Sequence, residues 1–388
     1  MLSVLPSLLA SDFVRPRVDY HALAPELILA VGICVVLMVD LFVSEQRRWI
    51  TSTIAGLVLL VAALPLVTLA TTGDVDVAPR SMFDGRYVVD NFSLVLKALF
   101  LLIGYIVVLL STTDAEEGGL YPGEYYVLLL SSILGMVMMT SARDLVSVFV
   151  ALELLSIPSY MLAAWRKRDT KSNEAGVKYY VLGVFASSVM LYGMSLLFGA
   201  ANSTKLSDIG AAVTAKGQLA GVEVLGIVFV IVGFAFKISA VPFHSWAPDT
   251  YEGAPTPITA FFSVASKAAG FTALILMVYL AFPQANKVYE PFMWVLAGLT
   301  MTIGNLLALR QTNIVRMLAY SSVSQGGFIL MPLAVAGTND AAGPALRAVM
   351  VYLVIYAATN LGAFAVVIAA PISLSLVLFA APNSRLIP

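Results

Sequence analysis

Charge is scarce in this sequence. Only 12% of its 388 residues are Asp, Glu, Lys or Arg, and the two signs nearly cancel at a net −1. A soluble domain carries about 25% charged and about 45–50% apolar residues; here 60% are hydrophobic and the mean hydropathy is +0.92. A soluble fold of this length would need far more polar surface to cover itself, so the chain reads as an integral membrane protein. The missing basic excess leaves no face for nucleic acid. Cys34 is the lone cysteine, which excludes an internal disulfide and a self-contained iron–sulfur cluster, since the latter takes about four thiolates. His21 and His244 are the only histidines, too few for a bis-histidine haem and anything more. No cofactor or metal is expected in this chain; any electron transfer would run elsewhere. The apolar stretch from Met1 to Ala10 has no basic residues before it, and Arg15 and Arg17 follow it. No cleavable signal peptide is expected, and the first span serves as the insertion signal.

What the sequence has instead is long apolar runs. A helix needs about 20 such residues to cross the hydrocarbon core, which gives about eleven spans: roughly 22–43, 50–71, 89–112, 124–141, 143–164, 177–200, 222–241, 256–281, 290–309, 314–336 and 345–370. The runs are continuous, whereas a β-barrel would show alternating segments of about ten residues. The expected fold is therefore an all-α polytopic bundle. Asp90-Asn91 and Thr256-Pro257 mark helix starts, as caps and first-turn prolines do. The only dense basic cluster, Arg166-Lys167-Arg168 with Lys171 and Lys178, belongs in the cytoplasm by the positive-inside rule, which places the N-terminus outside. The seventh span is interrupted: Pro242 and Pro248 flank Phe243-His244-Ser245-Trp246. Proline removes a backbone donor, and unwound backbone at membrane depth survives only inside protein or against a wet cavity.

A few charges fall within the spans, where each costs about 2.5–3.5 kcal/mol even on a lenient scale. Lys267 follows Thr256 by eleven residues, about 16 Å along a helix and farther than a lysine stem can snorkel. Ser263, Ser266, Ala268, Ala269 and Gly270 around it suit tight helix packing. Lys237 ends an apolar run five residues before Pro242, with Gly233 one turn earlier to admit a neighbouring helix; helix-end snorkelling is its bland alternative. Glu153 lies mid-span and, as a carboxylate, calls for a cationic partner or a proton; its bland alternative is a neutral acid bonded to a carbonyl. For Lys97 burial and snorkelling stand level. Lys178 opens the sixth span, where an interfacial cation is ordinary. Glu26 and Asp40 are expected at the interface, and His244 as a helix-end hydrogen-bonding group with a weaker claim to a relay. Burial favours the neutral form of a lysine and a nearby carboxylate favours the charged one. Glu153, Lys237 and Lys267 together therefore make a minimal proton relay.

Three stretches resemble a known family: Glu153-Leu-Leu-Ser-Ile-Pro-Ser-Tyr, Glu174-Ala-Gly-Val-Lys-Tyr-Tyr, and the long block from Lys237-Ile-Ser-Ala-Val-Pro-Phe-His-Ser-Trp through Pro257, extended by Ser-Lys-Ala-Ala-Gly around Lys267. They are similar to the antiporter-like proton-translocating membrane subunits of respiratory complex I (NADH-quinone oxidoreductase). The resemblance implies inverted repeats of five helices, each with a broken helix. It divides the chain into residues 1–121 (spans one to three), 122–281 (the first repeat) and 290–388 (a partial second repeat). It implies that Glu153 pairs with Lys237, that Lys267 leads toward a central hydrophilic axis, and that Lys178 has a lesser role. It implies no flavin, metal or nicotinamide here, other complex I membrane subunits and the lipid bilayer as partners, protons as cargo, and an inner (plasma) membrane location. A monovalent cation/proton antiporter subunit has the same components and stays open. Asp144 to Glu153 can be laid over Asn313 to Ser322 as a weak repeat match. On that register the second repeat's lysine falls beyond Pro388, so its later helices are expected to be missing.

Overall fold

The computed structural model describes residues 18–44, 47–71, 79–117, 122–215, 219–337 and 340–380; the Met1–Ala10 stretch, Arg15 and Arg17 lie outside them. The helices are α1 (Ala24–Asp40), α2 (Trp49–Thr71), α3 (Asn91–Glu117), α4 (Pro122–Ser141), α5 (Leu145–Ala163), α6 (Thr170–Ala201), α7 (Leu206–Ala215), α8 (Gly221–Lys237), α9 (Trp246–Gly253), α10 (Thr256–Ala281), α11 (Asn286–Ala308), α12 (Ile314–Leu330) and α13 (Ala342–Ala380). Nine of them are long and apolar enough to cross a bilayer among the described residues. Adding α1, with 17 residues, and the interrupted pair α8–α9 reproduces the eleven spans expected.

Hydropathy alone does not show three local features. Strands β1 (Arg80–Met82) and β2 (Tyr87–Val89) pair antiparallel ahead of α3, turning through Phe83, Asp84 and Gly85, all at positive φ. Asp and Gly tolerate that conformation better than most residues do. The short helix α7 buries Leu206, Ile209, Gly210 and Val213, and Gly210 abuts the Leu280 carbonyl at the end of α10, where a Cβ would come within 2.4 Å. Finally, α6 begins at Thr170 rather than near 177, because Asp169 caps it by accepting from the Lys171 amide at 2.9 Å. The apolar run marks only the lipid-deep portion of that helix, not its charged first turns.

Caps and glycines hold the bundle in register. Asp144 caps α5 through the amides of Val146 and Ser147, and Asn313 caps α12 through those of Val315 and Arg316. The two positions matched in sequence are thus both N-caps. They lie at opposite ends of the bundle, one beside Thr204 near the hairpin and the other beside Asp249, as inversion requires. Gly135 of α4 nests on the backbone of α5, where a Cβ would lie 2.6 Å from the Leu155 nitrogen. Ser132 Oγ beside it donates to the Leu155 carbonyl at 2.6 Å. Gly233 of α8 similarly meets Met190 of α6.

Asp144 also ties α5 to the hairpin, accepting from Arg86 and Thr204. Burial by itself would push its carboxyl up, but the hydrogen bonds from Thr204, the Ser147 and Val146 amides and Arg86 outweigh this and hold it below the usual carboxylate range. A depressed folded value means that its stabilisation is present above the unfolded value, about pH 4, and is lost as pH falls through the folded one. Asp144→Ala is expected to cost about 1–2 kcal/mol through the lost cap, read as a lower unfolding temperature in detergent at neutral pH. The gap between variant and parent should shrink on acidification below about pH 4.

Candidate functional site

The break between α8 and α9 positions the first lysine. α8 ends at Lys237, Ser239 follows at φ +59°, and Val241–Pro242 is a cis peptide. The backbone freed by the break finds partners inside protein. The Trp246 indole donates to the Phe236 carbonyl at 3.0 Å, and the Val241 amide donates to Thr300 Oγ1 of α11 at 2.9 Å. Lys237 is 3% exposed. Its ammonium donates to Ser156 Oγ at 2.9 Å and to the Tyr179 hydroxyl at 3.3 Å. Tyr179 is stacked flat on Trp246, with centroids 4.3 Å apart. The lysine stem lies against Gly270 of α10, where a Cβ would stand 3.2 Å from Lys237 Cγ. The Ser-Lys-Ala-Ala-Gly sequence is therefore a packing motif: its glycine lets α10 close onto the first lysine.

Lys267 lies one turn before that glycine on the most enclosed helix of the bundle, with every residue of the α10 window buried. It is 1% exposed and donates to the Ser322 carbonyl of α12. A π turn, Phe262–Ser266, precedes it. Such turns release backbone carbonyls from the helical ladder, and here the Ser263 carbonyl accepts from the Tyr356 hydroxyl of α13 at 3.0 Å. Tyr356 also bonds Ser322 Oγ at 2.9 Å, and Asn360 Nδ2 donates to Ser263 Oγ at 2.7 Å. Between the two lysines the Tyr179 hydroxyl faces Ser266. A buried row of hydroxyl, amide and amine groups thus runs from α5 and α6 through α10 to α12 and α13.

Glu153 stands at the other end. It is half-buried and accepts from Ser187 Oγ of α6 at 2.6 Å. It does not touch Lys237: Ser156, one turn along α5, holds the ammonium, and the carboxylate acts on it only through its field. The pairing implied by the family resemblance is not a direct contact: the Ser156 hydroxyl that receives the lysine donates to the Leu152 carbonyl, and Glu153 is bonded by Ser187. Lys178 sits at the edge of the site, paired with Asp249 at 2.7 Å and with Glu174. Asp249 and Glu252 of α9 are bonded in turn by Arg316 of α12, each at 2.8 Å. His244 lies in the break with its ring 6.4 Å from that of Tyr320, and among the described residues it makes no hydrogen bond to Glu153, Lys237 or Lys267. No group of three or more His, Cys, Asp or Glu able to hold a metal occurs among the described residues.

Sequence reasoning missed the hydroxyl row and the buried partners of Glu26. Glu26 is 6% exposed, and its Oε1 lies 2.6 Å from Lys97 Nζ and accepts from the Tyr87 hydroxyl at 2.6 Å. Lys97, 0% exposed, does not snorkel. The partner that buries both is the hairpin tyrosine, which no helical periodicity could supply.

These features define a polytopic helical membrane protein with buried lysines strung along a polar row through a broken-helix bundle. Residues 142–374 match the family model described as NADH:quinone oxidoreductase/Mrp antiporter, TM, and the chain belongs to that family. It is similar to NADH-quinone oxidoreductase subunit N of Trichlorobacter lovleyi, 38% identical over 90% of this chain and 70% of that one. Subunit N 2 of Symbiobacterium thermophilum is 40% identical over 92% of this chain and 72% of its own length. Among solved structures, a chain of respiratory complex I from Thermus thermophilus superposes with TM-score 0.71 at 33% identity, over 88% of this chain and 70% of that one. The Mrp complex from Dietzia shares the fold, with TM-score 0.76 at 21% identity over 91% of this chain and 65% of that one.

Proposed function

We propose that this chain is a proton-translocating membrane subunit of NADH-quinone oxidoreductase, seated in the bacterial inner membrane among the other membrane subunits of that complex. The single observation that carries the reading is the pair Lys237 and Lys267: two fully buried amines, each held by oxygen ligands and neither contacted by a carboxylate. A structural ion pair would neutralise its lysine permanently. An amine held by hydroxyls and a carbonyl keeps its ligands whether it carries two protons or three, so it can release a proton and take one back. Glu153 tunes this step at a distance, since its field favours the charged form of Lys237. Ser156, Tyr179 and Ser266 offer hydroxyls that accept and donate in turn, so a proton can pass toward Lys267 and on toward Ser322, Tyr356 and Asn360. On this reading residues 1–121 support the path, 122–281 form the first half-channel, and the described residues of 290–388 belong to the second. The redox groups sit in other subunits, and the basic cluster near Lys171 marks the cytoplasmic face. Moving one charge against 100 mV takes about 2.3 kcal/mol, which quinone reduction in the complex provides.

The family description and the fold shared with the Mrp complex support a second reading, a monovalent cation/proton antiporter subunit. Vesicles containing the assembled complex separate the two. NADH with a quinone is expected to drive a pH gradient, and a sodium gradient without NADH to drive none. A sodium-driven pH change with no response to NADH would replace the first reading with the second.

A further inference from the structure

The relay just described leaves one buried titratable group unused. Tyr251 of α9 is 0% exposed. Its backbone carbonyl accepts from Thr259 Oγ1 of α10 at 2.8 Å, and its ring stands edge-on to Trp246 with centroids 6.3 Å apart. These contacts fix where the hydroxyl points. It faces Ser322 of α12, and Tyr356 and Tyr179 are the next hydroxyls around it. The same neighbours hold the two amines: Tyr179 receives Lys237, and Ser322 receives Lys267 through its carbonyl. Tyr251 therefore stands between the ligands of the first lysine and those of the second.

Hydrogen bonding at this point is incomplete. Among the described residues the Tyr251 hydroxyl makes no hydrogen bond, and neither does the buried Ser266 hydroxyl that faces Tyr179. A charged lysine carries three N–H donors, yet the Ser322 carbonyl is the one acceptor that Lys267 bonds among the described residues. An unpaired buried hydroxyl costs about 1–3 kcal/mol, so a tyrosine kept for its ring alone would do better as phenylalanine. Buried polar atoms almost always find a partner, and where protein supplies none a buried water does, making about three bonds. From this placement we infer that Tyr251 is a further proton-path residue: with Ser266 it holds buried water between Tyr179 and Ser322, and that water joins Lys237 to Lys267. This rests on the relay reading above. In the transfer an N–H bond of the Lys237 ammonium breaks and an N–H bond forms on neutral Lys267. Each oxygen between them takes a proton from one neighbour as it gives its own to the next, so Tyr251 begins and ends as a phenol. No electrons move.

Tyr251→Phe in the full complex, reconstituted in vesicles, tests this. The change removes one oxygen and keeps the ring against Trp246. The variant is expected to assemble at the parental level and to translocate protons roughly tenfold more slowly per complex, a modest share of what a positioned proton-transfer group contributes. Ser266→Ala, a smaller change at the other hydroxyl, is expected to slow translocation in the same direction, and it decides the matter where the first variant does not assemble. A hydroxyl with only a structural role would lower the amount of complex and leave pumping per complex unchanged; that result, or a parental rate in assembled Tyr251→Phe, overturns the inference. A map of the parental complex that shows ordered water is expected to place one about 2.7 Å from the Tyr251 hydroxyl oxygen. Protein alone around that oxygen would overturn the link as well. Lys237→Ala is run beside these variants: if it too pumps normally, the relay reading itself has failed, whereas a defect there with normal Tyr251→Phe rejects this inference alone.

Discussion

Lys237→Ala in the assembled complex is expected to reduce proton translocation by about a hundredfold, at the low end of what a positioned proton carrier contributes. The amine donates to both Ser156 and Tyr179, so its loss breaks the row between α5 and α10. Alanine also leaves a void between Tyr179, Trp246 and Gly270, and a packing defect could mimic a transport defect. Lys237→Met separates the two, because its unbranched stem fills nearly the same space without an amine. Both variants are expected to assemble, the methionine variant more fully, and both to pump at the same low rate. The measurement is NADH-driven acidification of vesicles, normalised to the amount of complex. Pumping per NADH that stays at the parental level in either variant would remove Lys237 from the path.

Gly135→Val is expected to prevent accumulation of the folded chain. A Cβ at 135 would lie 2.6 Å from the Leu155 nitrogen and 2.8 Å from the Ala151 carbonyl oxygen, backbone atoms that cannot rotate away. α4 and α5 would have to separate, breaking the bonds from Ser132 to the Leu155 carbonyl and to Ser159 at 2.9 Å. Association of helices in lipid relies on such close packing, with no hydrophobic drive behind it. Small-to-large changes in packed interiors commonly cost about 1–3 kcal/mol, and a clash with backbone on both sides lies at the upper end. The check is the amount of chain in membranes by immunoblot, together with its unfolding temperature in detergent. Normal levels with normal stability would show that α4 and α5 do not pack as closely as described.

The spans were legible because lipid leaves little choice: about 20 apolar residues in a row can only be a helix. Lys237 and Lys267 stood out for the converse reason, as charges where apolar context makes them costly. Ser156 and Ser322 were harder to see, since a serine in a membrane helix can bond its own backbone and signals nothing by composition. On the repeat match Ser322 takes the place of Glu153, and in the fold its carbonyl receives Lys267. The two halves thus use the same position for different chemistry. The Glu26 pairing was hidden because a hairpin 61 residues away supplies Tyr87. Arg316 carried no signal in the sequence because its acids lie 67 and 64 residues earlier in the chain.

That last cluster has a mechanical side. Arg316 is in the first turn of α12 and grips both acids of α9, while Lys171 and Lys178 hold the same acids from α6. At its other end α9 begins with Trp246, lying flat on the tyrosine that ligates Lys237. A push on α12 must therefore either pull Arg316 off both carboxylates or swing this eight-residue rod, and with it the aromatic plate beneath the amine. The short helix is a lever clamped at the cluster by one end, with its other end resting on the tyrosine that bonds Lys237.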